Sequence, residues 1–263
     1  MLILKSPREI ELMRAAGRVV YSVLQRLREL IRPGVTTSEL NGVAEDIITR
    51  AGGEALFKGV RTSGARRPFP SVICASVNDV VVHGIANGTE LHEGDIISID
   101  CGVRLKGYCG DSATTIPVGS ISAEARRLLD VTASTLEIAV SEMRPGRYWG
   151  EVAGKMQDHV ESAGFSVVRE FVGHGIGQQM HEEPKVPNYT DNGQLKADFR
   201  LEPGLVLAVE PMVNQGSAVV KVGDVSGWPQ VTRDGRLSAH FEHTVAITST
   251  GVDILTDGRE TGR

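Results

Sequence analysis

Cysteine is scarce: Cys74, Cys101 and Cys109 are all there are, an odd number without the paired spacing of a zinc ribbon or a redox motif. That argues against a disulfide framework and fits free thiols in a reducing compartment. Positive charge is not in excess either. The formal net charge is -5 at pH 7, so nothing general draws the chain to nucleic acid or to an anionic membrane, and any such contact would have to be a local patch. No apolar run approaches membrane-spanning length, and the start is neither a signal nor a transit sequence, so a cytosolic protein is expected. What is present, 263 residues of which 41% are hydrophobic, suffices for a substantial core in one large domain or two small ones.

Ser6-Pro7-Arg8-Glu9 reads as a capping box with proline at the first helical position, opening an amphipathic helix to about Leu30; Thr36 and Glu39 repeat the device for a second helix. Apolar alternation predicts strands over 71–77, 95–103 and 108–116. Two further helices are predicted at about 122–141 and 148–164, then strands near 166–172, 204–213, 217–222 and 240–248. Helices precede strands in both halves. Ile31-Arg-Pro-Gly34 recurs as Met143-Arg-Pro-Gly146, and Ala51-Gly52 recurs at the same offset as Ala163-Gly164. Leu91 and Gly94 followed by Asp100 are echoed by Leu201 and Gly204 followed by Glu210. One such match is chance, but several at nearly one offset predict two related halves, about 1–120 and 121–263, within a single α+β domain whose site lies between them.

Four acids occupy places where a core should be. Ile97, Ile99, Cys101 and Val103 form one face of a strand, and Asp100 points the other way with Ser98 and Gly102. If the next turn has two residues, at 105–106 or 106–107, pairing parity puts Asp111 on the same face as Asp100, at about 4.5 to 5.5 Å between Cβ atoms if directly opposed and about 7 to 8 Å if diagonal. Glu210 and Glu242 sit in apolar stretches of the second half. Any one of them alone would be read as a solvated edge or a salt bridge. Four converging carboxylates, together with the glycine-flanked His174, would be prohibitive to bury without countercharge, which two divalent cations supply. An oxygen-rich set with one imidazole suits manganese, iron, cobalt or zinc, and paired ions of this kind promote hydrolysis.

Asp100, Asp111, His174, Glu210 and Glu242, in that order, resemble the ligand set of the methionine aminopeptidases. The motifs that carry the resemblance are His83-Gly-Ile, Ser98-Ile-Asp-Cys-Gly, Gly110-Asp-Ser, Gly173-His-Gly-Ile-Gly, His181-Glu-Glu-Pro, Val209-Glu-Pro-Met and Phe241-Glu-His-Thr. The resemblance implies a pita-bread fold of two pseudo-symmetric halves, an enzyme that removes the initiator methionine from nascent polypeptides with a small second residue favoured, and two divalent ions. Asp100 would hold the first ion with Glu242, Asp111 and Glu242 would bridge, and Glu210 would join His174 on the second. By the same resemblance Glu210 moves the proton between water and leaving amine, His83 and His181 position the peptide, and Phe69, Cys74, Met180 and Trp228 line the methionine pocket. A monomer is expected.

The sequence departs from the family pattern in places. The 60–70 segment is several residues longer than the usual loop, and Val60 stands where tyrosine is usual. Its Arg61, Arg66 and Arg67 offer phosphate contacts to ribosomal RNA near the exit tunnel of the ribosome, although a solvated loop is the simpler expectation. Cys109 stands where histidine is common, two residues before Asp111, and Ala86 where proline is usual; a buried inert thiol is the simpler expectation for Cys109. His92 and His159 are read as surface residues, His243 as facing away from Glu242, and His240 as sharing its face with nothing else in favour of a role. A proline-directed peptidase of this fold would ordinarily carry an additional N-terminal domain, and the short interval from His181 to Glu210 leaves no room for the second-type insertion, so type I is expected. A dinuclear phosphoesterase would meet the charge argument equally well, and a non-catalytic relative would have lost ligands that this chain keeps.

Overall fold

The computed structural model describes residues 2–259. Both capping boxes form. The Ser6 hydroxyl accepts from the Glu9 amide while the Glu9 carboxylate accepts from the Ser6 amide at 2.8 Å, heading α1 (Pro7–Leu30); Thr36 and Glu39 do the same for α2 (Thr37–Arg50). α1 buries Met13, Ala16, Val20, Val23, Leu24 and Leu27 and lies close over strand Tyr108–Pro117. A Cβ at Gly110 would come within 2.6 Å of the Gly17 amide nitrogen, so only glycine permits this approach.

α3 (Ala123–Glu142) and α4 (Trp149–Ser162) follow the same order in the second half. The sequence echoes are matched turns. Ile31 and Met143 cap α1 and α3, their amides donating to Leu27 and Ala139 carbonyls. Gly34 and Gly146 both have φ of 86°, and their amides donate to the carbonyls of Leu91 at 2.8 Å and Leu201 at 2.7 Å. Left-handed backbone at these positions is why glycine recurs there.

Every sheet is antiparallel. In the first half strand Ile96–Leu105 pairs with Glu54–Ala55, Cys74–Val77 and Tyr108–Pro117. In the second, the order is Val252–Ile254, His243–Ile247, Val206–Val209, Gly173–Gly175 and Glu182–Val186. Two small sheets complete the fold, one of Ser238–His240, Met212–Asn214 and Ser166–Val167, the other of Val220–Val222, Gln230–Thr232 and Val80–Val82. Ile97, Ile99, Cys101 and Val103 pack with Val20, Leu27, Leu40 and Ile48 of α1 and α2. Leu205, Leu207, Val209, Val245 and Ile247 pack with Leu136, Trp149, Val152 and Met156 of α3 and α4. Each half therefore turns its apolar sheet face to its own helices and leaves the other face for the site.

Several strands are shorter than the sequence pattern predicts. Regular pairing starts at Cys74, not Ser71, and the 166–172 stretch gives only Ser166–Val167. The apolar stretch 204–213 is two strands, Val206–Val209 in the five-stranded sheet and Met212–Asn214 in a three-stranded one, and 240–248 breaks in the same way between His240 and His243. Pro211 has no amide hydrogen for a ladder, which ends the first strand. Glu210 and Glu242 thus sit not inside strands but at paired breaks, with His243 opposite Val209 and His240 opposite Met212.

The halves are joined by hydroxyls on strands Tyr108–Pro117 and His243–Ile247. Thr244 Oγ1 accepts from the Asp111 amide at 3.0 Å and donates to the Asp111 carbonyl at 2.8 Å. Thr115 Oγ1 accepts from the His240 amide at 2.8 Å and donates to the His240 carbonyl at 2.9 Å, and the Glu242 amide donates to the Ala113 carbonyl at 2.9 Å. All of this is buried, where an unmade hydrogen bond costs about 1 to 3 kcal/mol, so the seam is specific as well as cohesive. Among the described residues, no helix is long and apolar enough to cross a membrane.

Candidate metal centre and apolar pocket

The first pair of acids is set by one hairpin. Leu105 pairs with Tyr108, so the turn is Lys106-Gly107, both left-handed at φ of 51° and 84°. Gly102 then opposes Asp111 and Ala113 opposes Asp100, which makes the two acids diagonal neighbours on one face. A Cβ on Gly102 would lie 3.3 Å from Asp111 Oδ1 and 3.0 Å from Phe57 Cε1, so the glycine keeps the floor open beneath both.

His174, Glu210 and Glu242 come from the second half and line the same cavity of about 280 Å³ as Asp100 and Asp111. His174 Nε2 is 3.9 Å from Asp111 Oδ2 and 3.6 Å from Glu210 Oε1. Asp111, His174 and Glu242 each present a ligand atom within 4.8 Å of the others. His174 Nδ1 lies 2.9 Å from the Gly175 carbonyl. The tautomer that donates there leaves the Nε2 lone pair facing the acids, as for a metal-ligating imidazole.

The acids are poorly served by the protein alone. Oδ1 of Asp100, Oδ1 of Asp111 and Oε1 of Glu242 are buried with no hydrogen-bond partner. Burial first, then repulsion from Glu210, pushes the Asp111 carboxyl up to about 7; burial pushes Glu210 up to about 8. Asp100 and Glu242 are driven well above their ordinary range by burial and by the neighbouring carboxylates. Burial, with help from His181, lowers His174 to about 4, which keeps it neutral. Orphaned carboxylate oxygens beside a neutral imidazole are what a divalent cation would satisfy, and an oxygen-rich donor set fits the harder transition metals and zinc.

An apolar pocket adjoins the acids. Phe69 and Trp228 meet edge to face at 5.1 Å between centroids, clustered with Cys74, Phe57 and Met180. The four pocket residues expected from the sequence are therefore together, and Phe57 is a wall the sequence reading missed. His83, left-handed at φ of 60°, stands edge-on to Phe171 at 5.4 Å and to Trp228 at 6.3 Å, and burial lowers it to about 4. The His181 ring is 4.3 Å from the His174 ring. The loop carrying His181 is pinned from the chain start, since Lys5 Nζ meets Glu182 Oε2 at 2.6 Å with side-chain exposures of 4% and 8%, and Glu182 Oε1 accepts from the Gln179 amide.

The 60–70 segment is built into the pocket rim. Its ends are bridged where the Phe69 amide donates to the Val60 carbonyl and the Gly59 amide to the Phe69 carbonyl, the Arg66 amide donates to the Ser226 carbonyl at 3.0 Å, and Trp228 Nε1 donates to the Arg67 carbonyl at 2.8 Å. The side chains of Arg61, Arg66 and Arg67 answer to the solvated-loop expectation; they are exposed. Cys109 lies outside the cavity lining, buried with Met13, Ile176 and Leu255, and burial raises its thiol. His92 is exposed, His159 bonds Ser134 at 2.7 Å between α4 and α3, and His243 faces Thr256 at 2.9 Å, away from the site. His240, set aside on the sequence, lines the cavity instead, with Nε2 3.5 Å from Glu210 Oε2.

Residues 11–249 match metallopeptidase family M24. The chain is 48% identical to methionine aminopeptidase 1 of Bacillus subtilis over 97% of its own length and 99% of that protein. Its fold superimposes on the methionine aminopeptidase of Thermotoga maritima with a TM-score of 0.90 at 40% identity, covering 97% and 99% of the two chains. The prolidase of Pyrococcus furiosus shares the fold alone, with a TM-score of 0.73 at 22% identity and 66% of that chain covered. With a pita-bread fold and acids from both halves around one imidazole, the chain belongs to metallopeptidase family M24, among its methionine aminopeptidases.

Proposed function

We propose that this chain uses divalent metal to hydrolyse the peptide bond after an N-terminal methionine, acting on nascent proteins and peptides and favouring a small second residue. The observation that carries the reading is the set of partnerless carboxylate oxygens on Asp100, Asp111 and Glu242, facing neutral His174 beside the Phe69 and Trp228 pocket. Asp100, Asp111, His174, Glu210 and Glu242 would hold two ions, of cobalt, manganese, iron or zinc. Such ions, when bound, acidify water and polarise a carbonyl.

The remaining work falls to the chain itself. Phe57, Phe69, Cys74, Met180 and Trp228 take the methionine side chain, whose flexible thioether packs well against aromatic rings. Glu210 carries a proton from water to the leaving amine. His83, kept neutral by burial, and His181 orient the scissile carbonyl and donate to its oxygen as charge develops there. The exposed Arg61, Arg66 and Arg67 beside the pocket rim support a contact with ribosomal RNA in the cytoplasm, made by a monomer. Charge reversal of the three would weaken ribosome binding and leave tripeptide turnover unchanged; unchanged binding removes that contact from the account.

The test of the activity is mass spectrometry of Met-Ala-Ser and Leu-Ala-Ser with metal-stripped protein, before and after addition of manganese, cobalt, iron or zinc. Release of methionine alone, and only with metal, is expected. Survival of both peptides with metal bound would overturn the reading.

A further inference from the structure

Glu210 is a flexible side chain at a strand break, yet it has to meet water and leaving amine in turn. Its backbone is held by Asn188, fully buried, whose Nδ2 donates to the Glu210 carbonyl at 3.1 Å. Its carboxylate lies between two imidazoles that address different oxygens, with His174 Nε2 3.6 Å from Oε1 and His240 Nε2 3.5 Å from Oε2. With Nδ1 donating to the Gly175 carbonyl, His174 has only a lone pair to show Glu210 and cannot donate to it. His240 can. It is 2% exposed, its Nε2 is buried without a hydrogen-bond partner, and both its amide and its carbonyl are fixed by Thr115. Its ring is thus delivered to the cavity by a rigid backbone, and closure by a few tenths of an ångström would bring the pair toward the ordinary N–H···O distance of about 2.9 Å.

We infer that His240 is a positioning residue for Glu210: its Nε2 donates to Oε2, fixes the carboxylate plane and leaves Oε1 directed to the His174 side. The inference rests on the reading of Glu210 as ligand and proton carrier. It gives this site a third histidine that acts through another residue, in addition to His83 and His181, which face the peptide. Partners of this kind, one bond removed from a metal ligand, alter metal affinity or activity by about 10- to 100-fold when lost.

The test compares His240→Leu, which removes the donor at similar bulk, with His240→Gln, which offers an amide N–H in its place. Full-length proteins are stripped of metal, checked for a retained thermal midpoint, titrated with manganese by calorimetry, and assayed on Met-Ala-Ser. His240→Leu should lower kcat by about 10- to 100-fold with little change in KM and weaken one manganese-binding event about 10-fold. His240→Gln should recover most of both losses. Parent-like kcat and manganese affinity in His240→Leu would overturn the inference, and so would equal losses in the two variants, which would mark the ring as packing only. If the parent itself releases no methionine, the proposed activity falls, and the manganese titration still decides on His240: equal affinities in parent and His240→Leu overturn it.

Discussion

The two halves supply acids to one cavity by different means. The first places Asp100 and Asp111 within an unbroken hairpin, so their separation follows from strand register and one two-residue turn. The second places Glu210 and Glu242 where strands leave one sheet for another, between ladders and not within one. A regular hairpin fixes where a side chain stands, whereas a break lets it reach across to the other half. On the proposed roles both halves supply ligands, those of the first set by register, while the second adds at its breaks the one acid, Glu210, that also handles the proton.

The largest effects should separate those roles. Asp111→Asn should abolish uptake of at least one metal equivalent, seen by calorimetry. Glu210→Gln should lower single-turnover kcat by about 10²- to 10⁴-fold, the range for loss of a general acid or base. If Asp111→Asn keeps full metal affinity, the division between halves is wrong. Lys5→Met should destabilise the protein by about 3 to 5 kcal/mol in urea, because Glu182 would be left as an unpaired buried charge under the loop of Met180 and His181. A change below about 1 kcal/mol, the range of exposed pairs, would show that the pair is not effectively buried.

The pH dependence of the metal-stripped protein follows in sign. Asp111 at about 7 and Glu210 at about 8 are raised above the values near 4 that they take when unfolded. The folded chain then binds more protons than the unfolded one between about pH 4 and 8, so this contribution to stability is full below that window and is lost as pH rises through it. Calorimetric midpoints should fall from pH 5 to pH 8 without metal and flatten with manganese; a rise without metal would contradict it. Phe69→Ala should lower kcat/KM for Met-Ala-Ser by about 10- to 200-fold and narrow its margin over Leu-Ala-Ser. The smallest effect is expected at Cys109→Ser. Its buried, raised thiol should make parent and variant equally sensitive to mild peroxide, and greater resistance of the variant would show that the thiol reacts.

Much of this was legible in the sequence where one local rule decides. Ser6 with Glu9 and Thr36 with Glu39 announce helix starts by their own chemistry, and alternation of Ile97, Ile99, Cys101 and Val103 against Asp100 gives a face directly. The breaks at Pro211 and at 241–242 were not, because an apolar run such as Leu205 to Val213 reads the same whether it stays in one sheet or crosses between two. The docking of 60–70 rests on main-chain bonds from Arg66 and to Arg67, which leave no mark on residue type. His240 was invisible for a third reason: its nearness to Glu210 joins positions thirty apart, across a strand break.

The hydroxyl seam also bears on how substrates come and go. Asp111 is bonded through both its amide and its carbonyl to Thr244, and His240 in the same manner to Thr115. Swinging the halves apart would break those bonds before any cleft opened and would scatter the acids at the same stroke. Any opening between the halves would therefore cost this buried seam, whereas Val60, Thr62 and Trp228 line the cavity from segments outside it.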